Sequence, residues 1–241
     1  MNIVIDQGNT SAKVALFEGN HLLTSFHFES LSEDVLQQII LKHRPEAGIL
    51  CFVKQVDSSI LSFLHSNIPA FFVLDTTTPT PLTIDYKTPQ SLGMDRIAAA
   101  TGAYAQKKEN NLLVIDIGTA ITIDYVENGG VYKGGNISPG PDLRFKSLHH
   151  YTNKLPLLDE QGDVPELGYN TETAIRAGVI NGIVREVDSY IDDCIKKHNV
   201  FTFLTGGYSF YFETKLKNSI FADGNLVLKG LNEILNYQRI I

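Results

Sequence analysis

One short stretch occurs twice in this chain. Residues 4–10 read Val-Ile-Asp-Gln-Gly-Asn-Thr, residues 114–120 read Val-Ile-Asp-Ile-Gly-Thr-Ala, and a shift of 110 residues pairs Val4 with Val114, Ile5 with Ile115, Asp6 with Asp116, Gly8 with Gly118 and Gly19 with Gly129. In each copy an apolar run suited to a buried strand delivers an aspartate to its C-terminal end, and a glycine opens a tight turn. An alternating second run then leads away, at residues 13–17 and 122–126. Each copy therefore reads as a β-hairpin with a polar tip. A chain that uses this unit twice is constrained to two halves of similar topology, 1–109 and 110–241.

Such a tip suits a polyphosphate. Glycine lets backbone N–H groups approach an anion, hydroxyl and amide side chains add donors, and a strand-end carboxylate can hold a hydrated cation that offsets phosphate charge. The other reading of either copy alone is an ordinary turn, because Asp, Gly and Asn are residues that turns prefer. Recurrence in two halves favours the functional reading.

Composition narrows the partners. A hydrophobic fraction of 43% and a charged fraction of 20% are those of a globular protein, and the net charge of −7 with no basic run argues against nucleic-acid binding. Cys51 and Cys194 lie far apart and share no metal-ligand spacing, so both read as free thiols. Acidic and polar residues begin at Asp6 and no apolar run is long enough to span a bilayer. The expectation is a cytoplasmic protein with no membrane partner.

Taken in order, the first half reads as strands 2–7, 11–17 and 21–28, a helix over 32–43 capped by Ser32, a strand at 48–53, a helix at 58–66 and a strand at 70–74. Residues 76–90 read as a connecting loop carrying Tyr86. An alanine-rich helix follows from about Met94 to Ala105, with Asp95 and Arg96 in or just before its first turn. There Asp95 is either a helix cap beside a solvated Arg96, or a carboxylate next to a guanidinium fork that meets an anionic ligand.

The second half predicts strands 111–117, 120–127 and 131–138, the last ended by Gly134-Gly135, and a polar helix at 141–149. His149 and His150 read as surface residues. A loop over 153–170 precedes a long helix, 172–198, before which Thr171 is either an N-cap or a hydroxyl presented at the helix start. A strand at 200–204 runs into Thr205-Gly206-Gly207, where the turn can pack against a flat base or a sugar. A last amphipathic helix, 226–237, turns Leu231, Ile234 and Leu235 to one face.

Six segments together resemble a known family. Asp-Gln-Gly-Asn-Thr (6–10), Gly-Met-Asp-Arg (93–96), Asp-Ile-Gly-Thr-Ala-Ile-Thr (116–122), Gly-Gly-Asn-Ile-Ser-Pro-Gly (134–140), Asn-Thr-Glu-Thr-Ala-Ile (170–175) and Thr-Gly-Gly (205–207) are similar, in order and spacing, to the motifs of type III pantothenate kinases. The family more often carries an apolar residue where Gln7 stands. The resemblance implies an α/β, duplicated ribonuclease-H-like (actin-like ATPase) fold of the acetate and sugar kinase, Hsc70 and actin superfamily. That fold would have two mixed-sheet halves with ATP bound between them.

The same resemblance implies the chemistry. The γ-phosphoryl group of ATP would pass to the primary hydroxyl of pantothenate, giving 4′-phosphopantothenate on the route to coenzyme A. Asp6, Gln7, Gly8, Asn9, Thr10, Ser11, Ala12 and Lys13 would form the first phosphate loop, with Lys13 on anionic oxygens and Asp6 holding Mg²⁺ through water. Thr119 would contact ATP, and Asp116 would ligate a monovalent cation, K⁺ or NH₄⁺. Asp95 would be the general base and Arg96 would orient the acidic substrate, beside Gly93, Met94, Tyr86 and Thr171.

A homodimer is implied as well. In it Ala174, Ala177 and Gly178 would permit close helix approach, against the plain reading that the apolar face of this helix is core. Two other functions stay open at this point: a kinase for another small alcohol, and an actin-like ATPase with no phosphoryl acceptor. The Gly-Met-Asp-Arg segment separates them, because an ATPase that only polymerises has no use for a base and a cationic fork.

Overall fold

Both copies of the repeated stretch become central strands. The computed structural model describes residues 1–53 and 56–240. In chain order the elements are β1 (Asn2–Gln7), β2 (Ala12–Glu18), β3 (His21–Phe28), α1 (Glu33–His43), β4 (Ala47–Phe52), α2 (Ser58–Asn67), β5 (Ala70–Val73), β6 (Thr83–Ile84) and α3 (Met94–Gln106). The second series is β7 (Asn111–Ile117), β8 (Ala120–Glu127), β9 (Val131–Pro139), α4 (Pro141–His150), α5 (Thr171–His198), β10 (Val200–Thr205), α6 (Ser209–Glu213), β11 (Phe221–Ala222) and α7 (Leu226–Gln238). The first sheet has the order β3-β2-β1-β4-β5. The second has β9-β8-β7-β10-β11, with β6 added outside β9. One strand order used twice, with helices packed on mixed sheets, is the duplicated ribonuclease-H-like α/β fold.

Contacts group the chain into two units: residues 1–109, 126–133 and 225–241 in the first, and 110–125 and 134–224 in the second. The expected halves, 1–109 and 110–241, differ from these units in two places. The C-terminal helix α7 packs with the first unit, and so does the far end of the β8–β9 hairpin, where Thr83 and Ile84 pair with Val131 and Tyr132. That pairing also puts a short strand inside the expected 76–90 loop.

In the first unit, alternation along β1 assigns its two faces. Ile3 and Ile5 join Val14, Leu16 and Leu50 in a core with Leu36, Ile39 and Ile40 of α1 and Ile60 and Leu64 of α2. Asn2, Val4 and Asp6 take the other face, where α7 lies against β1, β2 and β4. Polar bonds fix this seat: buried Asn2 donates to Asn232 Oδ1 and to Asn236 Oδ1, each at 2.9 Å, and Asn232 donates to the Gly19 carbonyl at 2.9 Å. These side-chain amides would be costly to leave unpaired in a buried position.

Helix α3 packs on α7 through two glycines. A methyl group at Gly102 would lie 3.0 Å from Gly230 N, and one at Gly230 would be driven into the Ala98 carbonyl oxygen and stand 2.8 Å from Gly102 N. The two helix backbones are thus in direct contact, which only residues without a Cβ allow.

In the second unit, Leu113, Ile115, Ile117, Ile121, Ile123 and Leu204 cover α5 through Ile175, Val179, Ile180, Ile183, Val187 and Ile191, with Phe145 of α4 beside them. The broad apolar face of α5 is therefore mostly core. Ala177 is buried, while Ala174 and Gly178 remain exposed. Gly134 and Gly135 lie inside β9 and do not end it; a methyl at Gly135 would come within 2.8 Å of the Asp124 Cα.

These contacts predict opposite effects of one substitution at two helical glycines. Gly230→Ala should lower stability by about 2–4 kcal/mol, because backbone atoms must move apart. Gly178→Ala, with open space around it, should raise stability by about 0.5–1 kcal/mol through helix propensity. Urea denaturation of both variants checks this, and equal effects of the two would contradict the packing account.

Candidate active site

In the first unit the tip between β1 and β2 is anchored from both sides. Gly8 N–H donates to the Ser11 carbonyl at 2.9 Å, and Val53 N–H donates to the Gln7 carbonyl at 3.0 Å. Gln7 is buried and turns its amide back onto the Gly8 carbonyl at 3.2 Å, whereas Asn9 and Thr10 at the apex are exposed. Gln7 therefore stiffens the loop from inside. Ser11 and Lys13 are half-buried and Ala12 is buried.

Register gathers three side chains on the α7 face. Asp6 pairs across β2 with Lys13 and across β4 with Cys51. The Asp95 carboxylate at the start of α3 acts on the same group. Burial pushes the Asp6 carboxyl up to about 6, the Lys13 ammonium pulls it down, and the Asp95 carboxylate pushes it up. The Cys51 thiol is pushed well above its usual value by burial first and then by Asp6 and Asp95. So Asp6, Lys13 and Asp95 form one electrostatic cluster, with a neutral thiol beneath it.

The start of α3 sets the positions of residues 95 and 96. Gly93 is the N-cap, and Asp95 sits in the first turn with its carboxylate accepting from the Arg96 backbone N–H at 2.9 Å. The site of a Cβ on Gly93 is 2.5 Å from Asp95 Oδ1, so glycine there leaves room for the carboxylate. Arg96 is only 6% exposed, which corrects the reading as a solvated side chain. Met94 is half-buried at the first position of the helix. Tyr86, two residues past β6, is half-buried and sets its ring edge against Tyr132, centroids 6.2 Å apart.

The second unit builds its tip in a related way. Parallel register pairs Asp116 with Thr205, as Asp6 pairs with Cys51. Gly118 N–H donates to the Ala120 carbonyl at 2.9 Å and Gly140 N–H to the Thr119 carbonyl at 3.0 Å. A methyl at Gly140 would lie 2.6 Å from that Thr119 oxygen. Gly206, at φ 95°, leaves no room for a Cβ, which would be driven into Asp116 Oδ1 and the Ile117 carbonyl. A carboxylate and backbone oxygens packed this closely are the donor types a hard cation takes.

Thr171 is exposed at the first position of α5 and is not its cap. That role falls to Asn170, whose Oδ1 accepts from Thr173 N–H at 2.9 Å while Thr173 Oγ1 accepts from Asn170 N–H at 3.1 Å. The hydroxyl of Thr171 is thus left at the helix start.

Sequence comparison places this geometry in a family. The sequence model for type III pantothenate kinase matches residues 2–193. The chain belongs to the type III pantothenate kinase family. A relative in Azobacteroides pseudotrichonymphae genomovar. CFP2, called a type III pantothenate kinase, is 54% identical over 239 residues, covering 99% of this chain and 98% of that protein.

Among solved structures, the activator of the 2-hydroxyisocaproyl-CoA dehydratase from Clostridium difficile with bound ADPNP is similar at a TM-score of 0.60 and 12% identity. The match covers 100% of this chain and 97% of that one. The ROK hexokinase of Thermus thermophilus is similar at a TM-score of 0.54 and 13% identity, covering 100% and 99%. At such identities these two show the fold alone. Among the described residues, no helix is long and apolar enough to cross a membrane.

Two neighbours of the family motifs escape a reading by motif. Cys51 lies beside Asp6 only through the parallel β1–β4 register, and nothing in the local sequence signals that. Tyr208, next to the Thr-Gly-Gly turn, donates its N–H to the Ile117 carbonyl at 3.0 Å and its hydroxyl to Asp142 at 2.7 Å.

The Asp6 environment has a consequence for stability. Its folded value near 6 exceeds the unfolded value of about 3.9, so the folded state binds the extra proton. Its cost is then absent below about pH 4, grows as pH rises, and is full above about pH 6. Asp6→Asn should therefore stabilise the protein by up to about 3 kcal/mol near pH 7.5 and by about half that near pH 5. Urea midpoints at the two pH values check this, and a gain independent of pH would contradict it.

Proposed function

We propose that this protein transfers the γ-phosphoryl group of ATP to the primary hydroxyl of pantothenate, giving 4′-phosphopantothenate, the first step of coenzyme A biosynthesis. The carrying observation is the cluster of Asp6, Lys13 and Asp95 around a glycine hairpin in a chain of this family. Phosphoryl transfer asks a protein chiefly to position the reactants and to offset charge. Residues Asp6 to Lys13 hold the phosphates, with backbone N–H groups and the Lys13 ammonium turned to anionic oxygens. Asp95 accepts the proton of the attacking hydroxyl as the bond to phosphorus forms, and Arg96 orients the pantothenate carboxylate. Gly93, Met94, Tyr86 and Thr171 complete the substrate contacts.

A single carboxylate fits a magnesium ion held mainly by water and nucleotide oxygens. Among the described residues no three His, Cys, Asp or Glu side chains gather into a metal cage, and Mg²⁺ retains most of its water in such sites. Asp6 would hold that ion, which neutralises phosphate charge when bound. In the second unit, Asp116 would hold K⁺ or NH₄⁺ and Thr119 would contact ATP. A reaction that draws on ATP fits the cytoplasm. The homodimer rests on the family resemblance, with exposed Ala174 and Gly178 on α5 and exposed Leu167 and Tyr169 just before it as candidate contacts.

Two tests address this reading. Coupled detection of ADP should show release that depends on pantothenate, and release unaffected by pantothenate would favour the actin-like ATPase. Asp95→Asn should cut single-turnover phosphoryl transfer by about 10²- to 10⁴-fold, the usual worth of a general base, with ATP still bound. A rate within a few-fold of the parent protein would show that Asp95 only steadies the helix start.

A further inference from the structure

The second tip is enclosed by a ring of bonds that no motif reading accounts for. Tyr208 N–H donates to the Ile117 carbonyl at 3.0 Å, and the Tyr208 hydroxyl donates to Asp142 Oδ1 at 2.7 Å. Asp142 lies in the first turn of α4, whose N-cap, Gly140, donates its N–H to the Thr119 carbonyl at 3.0 Å. The ring thus runs from the tip to the 206–208 turn, across a side-chain bond to α4, and back to the tip. The turn is itself tied down, since Ser209 gives both its N–H and its hydroxyl to the Gly206 carbonyl, at 3.2 and 2.8 Å.

Only one link of the ring is between side chains. We propose that Tyr208 and Asp142 are a positioning pair for the nucleotide: their hydrogen bond holds the Gly206-Gly207 turn and the start of α4 in fixed register with the tip at residues 116–119, and thereby sets the affinity for ATP. The pair touches no reacting atom. It acts through Gly206, packed so closely that a Cβ would be driven into Asp116 and Ile117, and through Gly140 on Thr119. A bond to a carboxylate is of the stronger kind. Burial and the Asp142 bond, with Glu160 and Asp159 nearby, push the Tyr208 phenol far above its usual range, so it remains a donor at every working pH.

This inference rests on the reading of the second tip as a nucleotide site, and its test separates the two. Tyr208→Phe removes one oxygen and keeps the ring contacts with Tyr211 and Phe212. It should weaken binding of a fluorescent ATP analogue, and raise the KM for ATP, by about 5- to 20-fold, less than the full worth of a charge-assisted bond because the pair acts on the nucleotide only through the turn. The pantothenate KM and kcat should stay within about two-fold. Asp142→Asn, whose amide oxygen still accepts the phenol but without the charge, should show a smaller loss, about two- to four-fold. Asp142→Leu should match Tyr208→Phe, and the two together should be no worse than either alone.

Unchanged ATP affinity in Tyr208→Phe would overturn the proposal. So would an Asp142→Asn defect as large as that of Asp142→Leu, or kcat and both KM values moving together with a fall in Tm. If instead the parent protein bound ATP but transferred nothing to pantothenate, the proposed reaction would fail while the positioning pair stood.

Discussion

The first unit depends on the contact between α3 and α7 at Gly102 and Gly230. Helix α7 is seated on the sheet by the buried Asn2–Asn232 pair, and α3, which carries Asp95 and Arg96, is seated on α7 by backbone packed against backbone. The chain of positions therefore runs from β1 to α7 to α3 and returns to Asp6, the last inward residue on the same face of β1. A carboxylate that must meet a substrate hydroxyl within hydrogen-bond reach gains its placement from this stack.

Duplication supplies the same backbone frame twice, and the neighbours give each copy its chemistry. Asp6 has Lys13 on one side and the buried Cys51 on the other, so its charge is held in a poorly hydrated place with a cation close by. Asp116 has Thr205 as its parallel neighbour and Gly206 against its carboxylate oxygen, a setting richer in oxygens. In the proposed reading the first setting holds phosphate and its hydrated ion, and the second holds the monovalent cation.

Much of this was legible from residues alone, because strands with apolar alternation and helices with clear caps advertise themselves. The strands at 2–7, 21–28 and 111–117 lie where periodicity puts them, and Ser32 caps α1 by accepting from Val35 N–H at 3.4 Å. What stayed hidden depends on contacts distant in sequence. The return of α7 to the first unit follows from Asn2 meeting Asn232, and β6 exists only because residues 83 and 84 find the end of a hairpin some fifty positions later. Asn170 and Thr171 are both good cap residues, and the choice between them turned on Thr173 completing a capping box. A solvated Arg96 stayed open from the sequence because its burial comes from packing and not from pattern.

In the proposed reaction the phosphoryl group ends on the primary hydroxyl oxygen of pantothenate and not on water. Phosphorus-31 NMR of the protein with equimolar ATP and pantothenate, Mg²⁺ and K⁺ reads that fate directly. Transfer to pantothenate gives ADP together with an equal amount of a phosphomonoester whose signal is split by the protons of one methylene group. Orthophosphate formed in place of that ester would contradict it.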